Sequence, residues 1–255
     1  MLNAFMYLLW RDLLVTIQDW RSFLALSLIQ PIFYLFIFGK LLPSLGQTEG
    51  NYTAVILPGI IGMTLVLTAI TAVIVPLAME FGYTKEIEDR LLSPLPVWSV
   101  AVQKVMFAAV RGLAAGALIF PFGFLILGRS FDISTEHLGL LALVAILGSF
   151  TAATVGLTFG TYIPLNKVNV LLPLLLPPLL FCGCIYYPWQ LLSKMRWFQV
   201  LSCLTPLTYT SEGLRASLAP QLPHMSIAFV MLGHVVFLFI FGYVGIRGFL
   251  RRAVD

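Results

Sequence analysis

Residues 80–99 read EFGYTKEIEDRLLSPLPVWS. The stretch is densely charged, in a chain of 255 residues that is 60% hydrophobic and 10% charged. Long apolar runs flank it on both sides, so it must leave any membrane those runs enter. Glu86, Glu88 and Asp89 alternate with Lys85 and Arg90. The apolar pair Leu91-Leu92 follows, then Ser93-Pro94-Leu95-Pro96. Prolines end a helix because they lack the amide and crowd the preceding turn. The pattern predicts a short amphipathic helix at the membrane surface (coupling segment 80–98), shaped to grip a soluble partner.

Working outward, the apolar runs set the fold. The mean hydropathy is +0.97, whereas an ordinary soluble domain is about 45–50% apolar and about 25% charged. A span needs roughly 20 apolar residues. Six spans are predicted, at 23–42, 53–79, 100–127, 138–163, 168–187 and 225–246. Lipid offers no partner to a backbone amide, so each must be helical. A β-barrel is excluded because 170–181 is continuously apolar, with no alternation. The expected fold is an all-α integral membrane protein, one domain over 1–255.

Two further segments complete the expected architecture. Leu2, Phe5, Met6, Leu9, Leu13, Ile17 and Trp20 recur at helical spacing, opposed by Arg11, Asp12, Gln18, Asp19 and Arg21. This predicts an interfacial helix over 1–22; no short apolar core with a small-residue cleavage site is present there. Residues 188–224 are too apolar for an aqueous loop. They predict short membrane-dipping helices in the outer leaflet, near 191–204 and 206–218. Tyr186, Tyr187, Trp189, Trp197 and Tyr209 there serve either as interface anchors or as stacking surfaces for sugars or planar drugs.

Basic residues set the orientation. With the N-terminus inside, nine fall on the cytoplasmic side: Arg11, Arg21, Lys85, Arg90, Lys104, Lys167, Arg247, Arg251 and Arg252. Five fall outside: Lys40, Arg129, Lys194, Arg196 and Arg215. Both termini are therefore expected in the cytoplasm of a bacterial plasma (inner) membrane. The basic excess is too scattered to bind nucleic acid and suits anchoring to membrane lipids.

Positive signs of an enzyme are missing. There is no G-x-x-x-x-G-K-[ST] for nucleotide and no G-x-S-x-G for acyl transfer. No catalytic residue and no metal site is expected: His137, His224 and His234 are scattered, and Cys182, Cys184 and Cys203 read as packing residues. His234 reads as packed or hydrogen-bonded. Ala108, Gly112 and Gly116, and Gly148, Ala152, Gly156 and Gly160, form stripes that permit close helix packing. Arg111 lies roughly 16 Å from Val100 at 1.5 Å per residue, near the bilayer centre. Two readings stand for it: contact with an anionic substrate headgroup, or a structural hydrogen bond to carbonyls or a partner helix.

Taken in order, the motifs resemble the membrane subunits of ATP-binding-cassette exporters of the type-2 permease family. Leu57-Pro58-Gly59 resembles the family's opening of the second span. Glu86, Glu88 and Leu91-Leu92-Ser93-Pro94 resemble its coupling helix. Gly183 with Tyr187-Pro188 resembles its Gly-x-x-[FY]-[FY]-Pro. Residues 204–209 with Glu212-Gly213-Leu214-Arg215 resemble its Asn-Pro-[LIV]-[TS]-Tyr…Gly-[LIF]-Arg, with Thr205 where Asn is usual. The resemblance implies an ATP-driven exporter of an amphiphile: a drug, a lipid-linked molecule, a glycolipid or a polysaccharide. It implies pairing with a second copy or a paralogue, and two copies of a separate ATPase subunit. ATP and magnesium would be held there, with no cofactor in this chain. Glu86, Glu88, Asp89, Leu91 and Leu92 would dock that ATPase. Tyr187, Pro188, Pro206, Tyr209, Glu212 and Arg215 are expected to form an outer gate, with Glu212 and Arg215 paired at i, i+3 and Glu212→Ala impairing export without loss of assembly. The competing reading is an ion-gradient carrier or lipid scramblase, which predicts intramembrane acids or inverted repeats; neither is present. A membrane enzyme on lipid-linked substrates would need a polar catalytic cluster at one face.

Overall fold

The computed structural model describes residues 2–46, 52–82, 96–128, 136–163 and 165–254. Among these the chain is helical throughout. Helix α1 (Leu2–Gln18) breaks at Asp19 and α2 (Trp20–Tyr34) follows. Pro31 sits inside α2, and the helix continues as a π-helical stretch, Leu35–Leu41, and a last turn, Leu42–Ser44. Then come α3 (Tyr52–Gly82), α4 (Val97–Leu127), α5 (Leu138–Tyr162) and α6 (Leu165–Cys182). A 3-10 turn (Trp189–Lys194), α7 (Arg196–Ser202) and α8 (Pro206–Leu218) lead to α9 (Ile227–Val254).

Among the described residues five helices are long and apolar enough to cross a membrane: Trp20–Ser44, α3, α4, α5 and α9. The sixth, α6, has 18 residues, about 27 Å at 1.5 Å each. It ends at Cys182, short of the 187 expected for the fifth span. Beyond it Gly183 and Cys184 turn the chain, with Cys184 at a positive φ of 51°.

Helix α3 is the axis of the molecule: 78% of its spanning window is buried, against 11% for α9. Small residues let its neighbours close on it. A Cβ on Gly112 of α4 would stand 2.7 Å from the Leu65 carbonyl oxygen, and one on Gly156 of α5 would stand 2.7 Å from that of Ile70. Gly112, Gly116, Gly156 and Gly160 of the two stripes thus face α3, while Gly148 packs against Thr210 of α8. Helix α9 packs on α5 by another device. The Thr158 hydroxyl donates to the Phe241 carbonyl at 2.9 Å.

Helix α1 departs from the expected amphipathic split. Phe5, Leu9, Asp12 and Leu13 are the partly covered face, while Met6, Trp10 and Ile17 are exposed. Asp12 had been assigned to the polar side. It instead turns inward and accepts a hydrogen bond from Gln103 Nε2 of α4 at 3.0 Å.

Candidate functional site

Three polar regions interrupt the apolar bundle. The first roots the loop between α3 and α4. Glu80, in the last turn of α3, forms a salt bridge with Lys104 of α4, both nearly buried. Gln103, next to Lys104, carries the bond to Asp12. Helices α1, α3 and α4 are therefore tied together near the end of α3 and the start of α4. On the same face, Arg252 of α9 donates to the carbonyls of Gly160 at 2.9 Å and Thr161 at 3.1 Å. It also lies over the Phe81 ring at 4.6 Å. A cation here satisfies carbonyls that the end of α5 leaves unpaired. Both ends of the chain thus lie on one face with residues 82 and 163. Glu86, Glu88, Asp89, Leu91 and Leu92 lie outside the described residues.

The second region is a cap at the opposite face. All thirteen residues of α8 are buried. Pro206 occupies the first helical turn, where its missing amide costs nothing. Three residues at helical spacing then take three successive carbonyls of the turn after α6. Thr208 donates to Cys182 at 3.0 Å, Ser211 to Gly183 at 2.7 Å and Arg215 Nη2 to Cys184 at 2.9 Å. Arg215 Nη2 also reaches the Val55 carbonyl of α3 at 3.2 Å. Its Nη1 pairs with Glu212, and both side chains are 0% exposed. Glu212 in turn accepts the Trp189 amide at 2.9 Å and the Met225 amide at 2.7 Å. Five separate stretches of chain meet on this one ion pair.

The expected outer segment therefore divides in two. The first piece lies at the surface, with Leu191, Trp197, Val200 and Leu204 exposed. The second, carrying Tyr209, Glu212 and Arg215, is interior, contrary to a half-sunk surface helix. Its polar side chains bind backbone that only the folded chain brings near. Tyr187 donates its hydroxyl to the Phe181 carbonyl, and Pro188 precedes the 3-10 turn. Tyr209 donates to the Cys203 carbonyl at 2.9 Å, and its ring packs against Phe229 and Phe237. Of the expected aromatic surface only Trp197 remains largely open. Tyr186 stacks inward on Tyr34 and Phe38. His234 is packed in the interior, with no hydrogen-bond partner on either ring nitrogen among the described residues.

The third region is a cleft of about 290 Å³ between α2, α3, α4 and α6. Arg111 borders it. The guanidinium lies over Phe23 at 5.1 Å and over Phe107 at 5.7 Å. Helical side chains lean toward the N-terminus of their helix, and Phe107 is one turn in that direction. The charge thus lies below its own Cα, toward the layer of Asp12, Gln103 and Lys104. That layer is seven residues along α4 from Arg111, about 10 Å of rise.

The sequence profile of the ABC-2 type transporter family matches residues 3–219. The chain belongs to that family. It is 26% identical over 201 residues to the inner membrane transport permease YadH of Escherichia coli (strain K12), covering 77% of this chain and 75% of the relative. It is 29% identical over 224 residues to the putative transport permease ycf38 of Cyanophora paradoxa, covering 82% of this chain and 72% of the relative.

This ABC-2 permease is a multi-pass membrane protein and a transmembrane subunit of a transporter. Permeases of the family generally work with an ABC ATPase. The matched stretch runs from α1 through α8 and contains the Glu80–Lys104 bridge, the Glu212–Arg215 pair and Arg111, though not Met225 or Arg252. The sequence shows the coupling segment, the Glu212–Arg215 pair and Arg111, but not the Glu80–Lys104 bridge, whose partners stand 24 residues apart. No local pattern joins them. A better signal existed for the cleft: Thr64, Thr68 and Thr71 recur at i, i+4 and i+7 on α3 and all line it.

Proposed function

We propose that this permease is the membrane half of an ATP-driven exporter that moves an amphiphile from the cytoplasm or inner leaflet outward. The observation that carries the reading is the tied root of the α3–α4 loop. A loop that docks a moving ATPase must hand its motion to the bundle, and a buried pair between the two flanking helices makes them move as one. The proposed ATPase contacts are Glu86, Glu88, Asp89, Leu91 and Leu92. Buried apolar anchors dominate such an interface and charges steer it. Two copies of the ATPase would bind ATP and magnesium beneath a pair of permeases, the second being another copy or a paralogue. The face bearing both termini is then cytoplasmic, in a bacterial inner membrane.

In this reading the cap formed by Tyr187, Pro188, Pro206, Tyr209, Glu212 and Arg215 is the outer gate. Its interior bonding favours movement as one body over opening at the Glu212–Arg215 pair.

The test is co-purification. With Leu91 and Leu92 both changed to Ser, the permease stays in the membrane and its ATPase is lost. Retention of the ATPase at wild-type strength rejects the docking assignment. Stimulation of ATP hydrolysis by amphiphiles in reconstituted vesicles tests the cargo class independently.

A further inference from the structure

We infer that the cleft beside Arg111 binds the anionic head of an amphiphile, a phosphate or a carboxylate, with its tail lying along α3 and α6. The inference deepens the exporter reading and rests on it only for the fate of the ligand, not for its binding.

The first ground is the state of the guanidinium. Among the described residues it makes no hydrogen bond and no ion pair, and its Nε is buried without a partner. Carboxylates are engaged elsewhere: Asp12 with Gln103, Asp19 with Ser22, Glu80 with Lys104 and Glu212 with Arg215. A permanent cation inside a membrane protein calls for a counter-charge, because desolvation without one is costly. Among the described residues the guanidinium lies over the faces of Phe23 and Phe107. Stacking on a ring face leaves the N–H groups, which lie in the guanidinium plane, free for a two-pronged grip on an oxyanion.

The second ground is the lining. The hydroxyls of Ser27 and Thr68 make no hydrogen bond within the described residues, and Gln30 adds an amide. Beyond them Met63, Val75 and Leu176 are apolar. Polar groups thus share the cleft with Arg111, and the rest of the wall is suited to hydrocarbon. A cleft of about 290 Å³ is at the small end of ligand sites, which run about 300–1,000 Å³. It takes a head and its first methylenes, and excludes a folded polymer.

The purified full-length chain provides the test. Dodecyl phosphate, dodecyl maltoside and inorganic phosphate are titrated separately, and bound ligand is counted by native mass spectrometry. Phosphatidylglycerol retention from nanodiscs separates a resident lipid from an added cargo. Dodecyl phosphate is expected to bind, dodecyl maltoside and inorganic phosphate at least tenfold more weakly. Arg111→Gln lowers dodecyl phosphate binding at least tenfold and Arg111→Lys restores part of it. Phosphatidylglycerol loss in Arg111→Gln supports the same site with a lipid as its source. Equal binding of dodecyl phosphate to wild type and a folded Arg111→Gln overturns the inference, as does equal binding of dodecyl maltoside. The exporter reading fails separately. If no ATPase co-purifies, yet Arg111→Gln loses the ligand, the anion site stands without it. If ATP-driven export proceeds unaffected by Arg111→Gln while dodecyl phosphate binding is lost, the anion site stands and only its place on the export route falls.

Discussion

Arg215 and Arg111 carry the same charge in the same bundle, in opposite surroundings. Arg215 is fully buried, paired with Glu212 and bonded to carbonyls on α3 and on the turn after α6. Arg111 touches two aromatic rings and borders an open cleft. Arg215 Nε lacks a partner among the described residues, as Arg111 Nε does, but both terminal nitrogens of Arg215 are spent on its own protein, and such a charge holds the fold. A charge whose donors are left over is available to something else. The distinction makes the cap a structural lock and the cleft a candidate binding site. It also predicts unequal consequences of substitution.

Glu212→Ala gives the largest expected loss. It strands Arg215 without its counter-charge and removes the acceptor of two amides. Breaking one side of a buried pair costs about 3–5 kcal/mol. Unfolding followed by denaturant titration in mild detergent is expected to show that drop, with little monodisperse protein. This replaces the expectation of a clean export defect with assembly intact. Arg215→Ala added to Glu212→Ala recovers part of the loss, because no charge is then stranded. Cys184 gives a second readout. Burial, and then the nearby Glu212 charge, push its thiol up to about 12. At pH 8 its thiolate is about one part in ten thousand, so it resists maleimide in the wild type. Labelling of Cys184 in the folded wild type would show that the cap opens readily and is no lock.

One residue along α4 from Arg111, Gly112 faces α3 backbone instead of the cleft. Gly112→Ala would place a methyl carbon 2.7 Å from the Leu65 oxygen and 2.9 Å from the Ala69 methyl. Neither helix yields easily, and overpacking of this kind costs about 1–3 kcal/mol. The same titration measures it. An unchanged midpoint would mean that α3 and α4 are loosely packed at that level, and that Arg111 owes its exposure to slack rather than to a formed cleft.

What the sequence made legible follows the range of the forces. Spans were readable because hydropathy accumulates over twenty neighbouring residues. The small-residue stripes were readable because helical spacing puts them on one face. Glu212 and Arg215 at i, i+3 were readable as a pair for the same reason. Their burial was not, because it depends on the carbonyls of Val55 and Cys184, at 160 and 31 residues' distance. Glu80 with Lys104 and Asp12 with Gln103 are likewise products of tertiary packing. Arg111 was visible as an oddity.

Arg111→Gln is the smallest expected effect on stability, and it decides the comparison. The change removes two cation–π contacts, worth about 0.5–1 kcal/mol each where solvent or lipid heads have access. It also removes the cost of holding a cation in the bundle, which reaches about 2.5–3.5 kcal/mol at a bilayer's centre and falls toward its edge. The two terms oppose one another and are of similar size at the depth of Phe107. Glutamine fills most of the same space, so no large cavity is left. The unfolding midpoint is therefore expected within about 1 kcal/mol of wild type, on either side, while Arg215→Gln falls by several. Adding dodecyl phosphate should raise the wild-type midpoint by mass action and leave that of Arg111→Gln in place. A loss on Arg111→Gln as large as that of Glu212→Ala would make Arg111 a second lock, holding α4 against α2 through Phe23, and the difference between the two arginines would vanish.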